Sequence, residues 1–127
     1  MKHLVLVMLG GGLGAGARYL VALATLRLFG PGFPVGTLTV NVVGSLVMGL
    51  FIGWLARHEG AWLQDVRYFV ATGVLGGFTT FSAFSLDTAV LWQRGDVVPA
   101  MVYVAASVLL SVIGVFAGLF LMRHLAG

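Results

Sequence analysis

Residues 76–85 read GGFTTFSAFS, and the reading of this stretch decides the fold. It sits inside a long apolar run, yet it sets two glycines, two threonines, two serines and three phenylalanines side by side. Each interior glycine costs a helix about 1 kcal/mol relative to alanine, and β-branched threonine adds to the strain. A helix entering this stretch is therefore expected to break. Inside a bilayer, the amides and carbonyls that a break releases must be met by protein, water or a bound ion. Carbonyls at such a break suit a cation, and Thr80 or Ser82 can cap the half-helix that resumes. A simple kink, with the threonines bonded back to the preceding turn, is the competing reading.

If helix resumes near Thr80, Phe81 and Phe84 stand at i and i+3 and point the same way. Two rings at that spacing are ordinarily packing. The edge of an aromatic ring is positive, however, so rings presented edge-on beside hydroxyls and an amide offer weak partners to an anion losing its water. Such a set suits a small, hard anion.

The chain around this stretch has 127 residues, of which 60% are hydrophobic and 9% charged. An ordinary soluble domain has roughly 45–50% apolar residues. This composition implies an all-α membrane protein, multi-pass and set in the cell membrane, with the lipid bilayer as its first partner. Charged residues cluster at Lys2, Arg18, Arg27, Arg57 to Glu59, Asp65 to Arg67, Asp87, Arg94 to Asp96 and Arg123. The stretches between them, near 4–29, 34–56, 66–92 and 98–122, each reach the about 20 residues a helical span requires. A single four-helix transmembrane domain over 1–127 is the expectation.

The opening MKHLVLVMLGGGLGAGAR also has the parts of a signal peptide: a basic start, an apolar core and small residues before Arg18. Its apolar pattern continues through Tyr19 to Leu28 without a break, so the first span is expected to be retained. No cysteine is present, which excludes disulfide and thiol chemistry. The formal charge of +3 suits anionic headgroups or an anionic solute and does not separate them. No nucleic-acid partner is expected.

Four spans put the N-terminus, the 57–65 loop and the C-terminus on one side, with Lys2, Arg57, Arg67 and Arg123. The other side holds Arg27 and Arg94. This is a weak bias by the positive-inside rule, compatible with insertion in both orientations and an antiparallel pair.

GLGAGA at 12–17 is close to a dinucleotide fingerprint, but that motif needs a strand before it and a βαβ unit around it. In a membrane helix the glycines instead form small-xxx-small pairs: Gly10 with Gly14, Gly12 with Gly16, Gly49 with Gly53, Gly73 with Gly77, and Gly114 with Gly118. PGFP at 31–34 ends the first helix and begins the second.

Two spans carry a polar stripe. Thr37, Asn41 and Ser45 recur every four residues in the second span, and Tyr103, Ser107 and Ser111 do so in the fourth. Interhelical hydrogen bonding, worth about 0.6 kcal/mol per contact on average, accounts for a lone serine. Asn41 brings two donors and an acceptor that a mid-membrane site must satisfy. Arg18 lies roughly 21 Å into the first span. It either snorkels along its stem or places a fixed positive charge at a wet cavity.

In this setting GGFTTFSAFS resembles the signature of the Fluc (CrcB) fluoride channels, together with GAGARY at 14–19 and GTLTVNVVGS at 36–45. The resemblance covers the whole chain. It implies an antiparallel dual-topology homodimer with a broken third helix, passing fluoride passively out of the cell, with a structural sodium ion at the dimer interface. By the same resemblance Phe81 and Phe84 line the pore, with Asn41, Ser107, Ser111 and Thr37; Thr80 and Ser82 fall in a polar track beside the rings. Arg18 belongs to the aqueous vestibule, and the backbone carbonyls of Gly76 and Thr79 hold the sodium. Ala83 departs from the pattern, where many relatives have threonine, and Asp87 stands where glutamate is common.

The alternative function is a small dual-topology, proton-coupled exporter of cationic drugs. Such an exporter needs an embedded carboxylate to exchange a proton for its cation. The spans offer none near the middle; Asp87 comes toward the end of the third.

Overall fold

The computed structural model describes residues 1–125. It consists of α1 (Lys2–Phe29), α2 (Val35–Leu55), α3 (Trp62–Arg67), a π-helical segment (Tyr68–Leu75), α4 (Gly76–Phe78), α5 (Phe81–Gln93) and α6 (Val97–Leu125). Four helical stretches are long and apolar enough to cross a membrane: Lys2–Phe29, Val35–Leu55, Trp62–Gln93 and Val97–Leu125. The described residues are all-helical, with four candidate spans.

The turns are written in local chemistry. At the end of α1, Gly30 takes φ 77° and its N–H bonds to the Leu26 carbonyl at 2.9 Å. Glycine accepts this left-handed backbone without the clash a side chain would bring. Gly95, at φ 87°, does the same after α5, donating to the Trp92 carbonyl at 3.0 Å. These two turns are joined, because Arg94 donates to the Gly32 carbonyl at 2.9 Å and pairs with Asp96 at 2.7 Å. At the opposite end Lys2 and His3 both reach Asp65 at 3.1 Å, fastening the start of α1 to α3.

The helices meet backbone to backbone. α1 lies along the π-helical segment and α4, while α2 lies along α6. A Cβ built on Gly14 would strike the Val74 carbonyl, and one on Gly10 the Phe69 carbonyl. From the other side, Gly73 and Gly77 face Gly10 and Gly11. The α2–α6 seam repeats the device, with Gly49 against Val115 and Gly118 against Leu46. Not every glycine pair expected from spacing takes part. Gly12 and Gly16 have nothing within 4 Å, because they sit on the outer face of α1.

The side-chain core is correspondingly small. Leu91, Ala100 and Tyr103 form its buried centre, with Phe33, Leu38 and Phe84 packed on it. Most large apolar residues, among them Leu13, Leu20, Leu109 and Phe116, face outward. Lipid is as apolar as these side chains, so close dispersion contact between backbones, rather than burial from water, must hold the helices together. The π-helical turns of Tyr68–Leu75 have no marker in the sequence YFVATGVL.

The glycine contacts separate by experiment. Gly14→Ala is expected to lower stability by about 1–3 kcal/mol, the range for overpacking. Gly16→Ala should be neutral or stabilising by up to about 1 kcal/mol through helix propensity. Thermal unfolding of the detergent-purified variants checks the difference; equal losses would remove the close-approach argument.

Candidate functional site

The site grows out of the stretch between α4 and α5. Helix stops at Phe78, Thr79 takes φ −85°, ψ 158°, and Thr80 takes φ −152°, ψ 125°. Two extended residues thus sit between two helical segments. The Thr79 amide and hydroxyl both donate to the Leu75 carbonyl at 3.0 Å, closing the last turn of α4. Thr80 caps α5 by accepting from the Ala83 amide at 3.2 Å, and its hydroxyl lies 3.3 Å from that of Ser82. A threonine in extended conformation at this position is a strong N-cap.

The backbone of Thr80 itself faces α2. Its N–H donates to Asn41 Oδ1 at 2.7 Å, and its carbonyl accepts from Asn41 Nδ2 at 3.0 Å. One side-chain amide therefore meets both groups, as an adjacent strand would. Three residues along α2, Gly44 leaves the space that Thr79 Cγ2 occupies. Arg18 reaches across from α1 and donates through Nε to the Gly77 carbonyl at 3.1 Å.

These bonds redirect the helical ladder. In a continuous α-helix the Thr80 amide would serve the Gly76 carbonyl, and the Ala83 amide the Thr79 carbonyl. Here Asn41 takes the first amide and the Thr80 hydroxyl the second. The Phe81 amide would serve Gly77, whose carbonyl instead receives Arg18.

Beside this crossing runs a groove of about 380 Å³, lined by Asn41, Ser45 and Met48 of α2, Thr79 to Phe81 and Phe84, and Ser107, Ser111 and their neighbours on α6. Ser107 Oγ and Ser111 Oγ are buried and have no hydrogen-bond partner among the described residues. Leaving a buried hydroxyl unsatisfied costs about 1–3 kcal/mol. The Phe81 and Phe84 rings stand 5.5 Å apart with planes tilted by 56°. Phe84 continues toward Tyr103 at 5.2 Å, whereas Phe81 is 77% exposed on the open side of the groove.

Of the residues singled out from sequence, the groove gathers Asn41, Thr79, Thr80, Phe81, Phe84, Ser107 and Ser111. Thr37 lies apart, in a second hollow of about 330 Å³ shared with Phe33, Asp87 and Arg94. Ser82 is exposed beside the Thr80 hydroxyl. Gly76 is exposed and has room for a Cβ, its nearest neighbour being the Ala71 carbonyl at 3.6 Å. Tyr103 stands in the polar stripe read from the sequence, but its partner does not follow from that spacing, and Gly44 was not singled out. The Tyr103 hydroxyl donates to Asp87 Oδ2 at 3.1 Å, linking α6 to α5 between the two hollows. Its place four residues before Ser107 in the polar stripe was the available signal. Gly44 had no signal, because its role exists only once Thr79 lies against it.

Comparison with known proteins finds relatives of this chain. Residues 5–119 match the model of a family described as CrcB-like protein, Camphor Resistance (CrcB). A protein of Mesorhizobium japonicum called fluoride-specific ion channel FluC is 56% identical over 125 residues, spanning 98% of this chain and 99% of its own. Another of that name, from a Chelativorans species, is 53% identical over 125 residues, spanning 98% and 99%. The Caulobacter vibrioides protein of the same name is 49% identical over 123 residues, spanning 97% of each chain.

Asn41→Ala strands both the amide and the carbonyl of Thr80, at about 1–3 kcal/mol for each group left buried and unpaired. Thermal unfolding should show this loss, against a near-neutral Ser45→Ala in the same stripe. Equal stability of the two variants would mean that water replaces Asn41 at Thr80 without cost.

Proposed function

This chain belongs to the CrcB family, and from that premise we propose that it is a fluoride-selective channel that lets cytoplasmic fluoride leave the cell passively. The observation that carries the reading is a pair of hydroxyls, Ser107 and Ser111, that lack a hydrogen-bond partner among the described residues and line one groove with Phe81 and Phe84. Unmet donors next to ring edges form a path where a small anion can exchange water for hydroxyl, amide and aromatic-edge contacts. Thr80 and Ser82 extend the hydroxyls along the same side. Thr37 marks the approach at the second hollow. The Tyr103–Asp87 bond separates it from the groove. Arg18 supplies a fixed positive charge on the α1 side, favouring anions over cations.

The driving force needs no fuel. In acid surroundings fluoride enters as neutral HF and loses its proton in the near-neutral cytoplasm. The inside-negative potential then drives the anion outward, at about 2.3 kcal/mol per charge per 100 mV.

The working unit in this proposal is an antiparallel homodimer in the inner membrane, with the third span broken at Thr79 and Thr80. Support for a second subunit comes from the open groove. Phe81, Val108 and Val112 leave one side of it without a wall. A structural sodium ion at the interface fits the donors present. The carbonyls of Gly76 and Thr79 are those whose helical amides are diverted to Asn41 and the Thr80 hydroxyl, and neutral oxygen donors suit a hard monovalent cation. Bound there, sodium would supply the positive charge those carbonyls lack and help hold the break in register. The residues of the chain do the rest: Asn41 holds the Thr80 backbone and Arg18 holds the Gly77 carbonyl.

A proton-coupled exporter of cations lacks support. Its carboxylate would have to be Asp87, which already accepts the Tyr103 hydroxyl near the end of a span.

Liposomes holding the purified protein are expected to release fluoride rapidly and chloride hardly at all, read with ion-selective electrodes. Comparable release of both ions would overturn the selectivity. Phe81→Ile should reduce fluoride release to the level of empty liposomes while the protein still elutes as a dimer. Normal flux in that variant would make the exposed ring a packing element alone.

A further inference from the structure

We propose that the turn at 30–34 is a positioning element for Tyr103: Arg94 fixes the turn from outside, and the ring of Phe33 carries that placement to the tyrosine. By sequence, PGFP at 31–34 only ends one helix and begins the next. Its packing gives it this second task.

The backbone is held on both sides of Phe33. Pro34 takes φ −78° and ψ 67°, and the Val35 amide donates to the Phe33 carbonyl at 2.8 Å. These are the angles and the bond of an inverse γ-turn, and the proline ring locks the first of the two angles. Before Phe33, the Gly32 carbonyl accepts from Arg94 Nη2 at 2.9 Å. Arg94 is itself anchored, because its Nε and Nη2 both donate to Asp96 Oδ2, at 3.1 and 2.7 Å. The Asp96 backbone is fixed in turn: its amide donates to the Leu91 carbonyl and its carbonyl accepts from the Ala100 amide, each at 3.0 Å. One guanidinium thus ties the turn between α1 and α2 to the turn between α5 and α6.

Phe33 transmits that placement inward. Its ring stands perpendicular to that of Tyr103, with planes at 87° and centroids 5.5 Å apart. Tyr103 is 0% exposed, and Phe84 also lies against it at 5.2 Å. A ring enclosed at interior packing density has little room to shift, so its hydroxyl is delivered to Asp87 Oδ2 at 3.1 Å. The turn and the end of α5, Arg94 included, wall the hollow that Asp87 lines.

The consequence is electrostatic. With Tyr103 in place, the Asp87 carboxylate has a hydroxyl donor. With Tyr103 displaced, it is left bare beside the way from the groove to the second hollow, where an anion meets like charge. This effect on flux rests on the channel reading above; the placement of Tyr103 does not.

The experiment uses the full chain with isotope-labelled tyrosine in detergent micelles. Ring NMR signals arise from Tyr19, Tyr68 and Tyr103, and Tyr103→Phe identifies the third. Arg94→Ala leaves every ring in place and is expected to shift or broaden the Tyr103 signal alone. Its unfolding temperature should change little, since a half-exposed ion pair contributes little to stability. Arg94→Lys, which keeps a donor for Gly32, should preserve the signal, as should Arg27→Ala at the same end. An unmoved Tyr103 signal in Arg94→Ala overturns the proposal, as does a shift that Arg94→Lys or Arg27→Ala reproduces. In liposomes Arg94→Ala should slow fluoride release by about fivefold, the weight of one like charge about 4 Å away at the dielectric of water. Adding Asp87→Asn should restore it. Undiminished release despite a shifted signal, or release that stays slow in the double variant, overturns the positioning role. If the unmodified protein passed chloride as readily as fluoride, the channel reading would fall while the Tyr103 signal still decided the role of the turn.

Discussion

Everything else in this structure depends on the two hydrogen bonds between Asn41 and Thr80. A membrane helix that stops must dispose of its backbone polar groups in a medium without water, and each group left bare is costly. Asn41 meets the amide and the carbonyl of Thr80 at once, at 2.7 and 3.0 Å. With that residue secured, Thr79 closes one helix, Thr80 caps the next, and Arg18 donates to the Gly77 carbonyl. The two extended residues, Thr79 and Thr80, thereby keep their backbone polar groups paired between the helical segments.

Such a crossing needs helices close enough for short side chains to span them. Glycine supplies the approach. α1 lies on the π-helical segment and α4 through Gly10, Gly14, Gly73 and Gly77, and α2 lies on α6 through Gly49 and Gly118. Gly44 gives the Asn41–Thr80 contact its room by leaving space for Thr79, and seams this close leave little volume for an interior. Large side chains consequently point outward, and two enclosed hydroxyls without a partner among the described residues, Ser107 and Ser111, border the groove. Stability and the candidate pathway draw on one geometry.

The two ends of the bundle differ for a separate reason. Ion pairs lock Lys2 to Asp65 and Arg94 to Asp96, both on exposed side chains where such pairs contribute little. The first fastens the start of α1 to α3, and the second closes the turn before α6.

Much was legible in the amino-acid sequence. Apolar lengths between charges determined an all-helical chain with four candidate spans, because no other backbone form satisfies itself in lipid over those lengths. The period of four brought Asn41, Ser107 and Ser111 into consideration, and glycine and threonine marked residues 76–80 as poor helix. Partnership was decided by the tertiary structure alone. Gly10 and Gly12 have the same local pattern, yet one touches a neighbouring backbone and the other faces outward. Thr37 and Asn41 share a stripe, yet the packing of Tyr103 against Asp87 puts them in different hollows. Local sequence sets which face a side chain can occupy; which carbonyl, ring or helix lies opposite depends on residues tens of positions away, and only the packed chain brings them together.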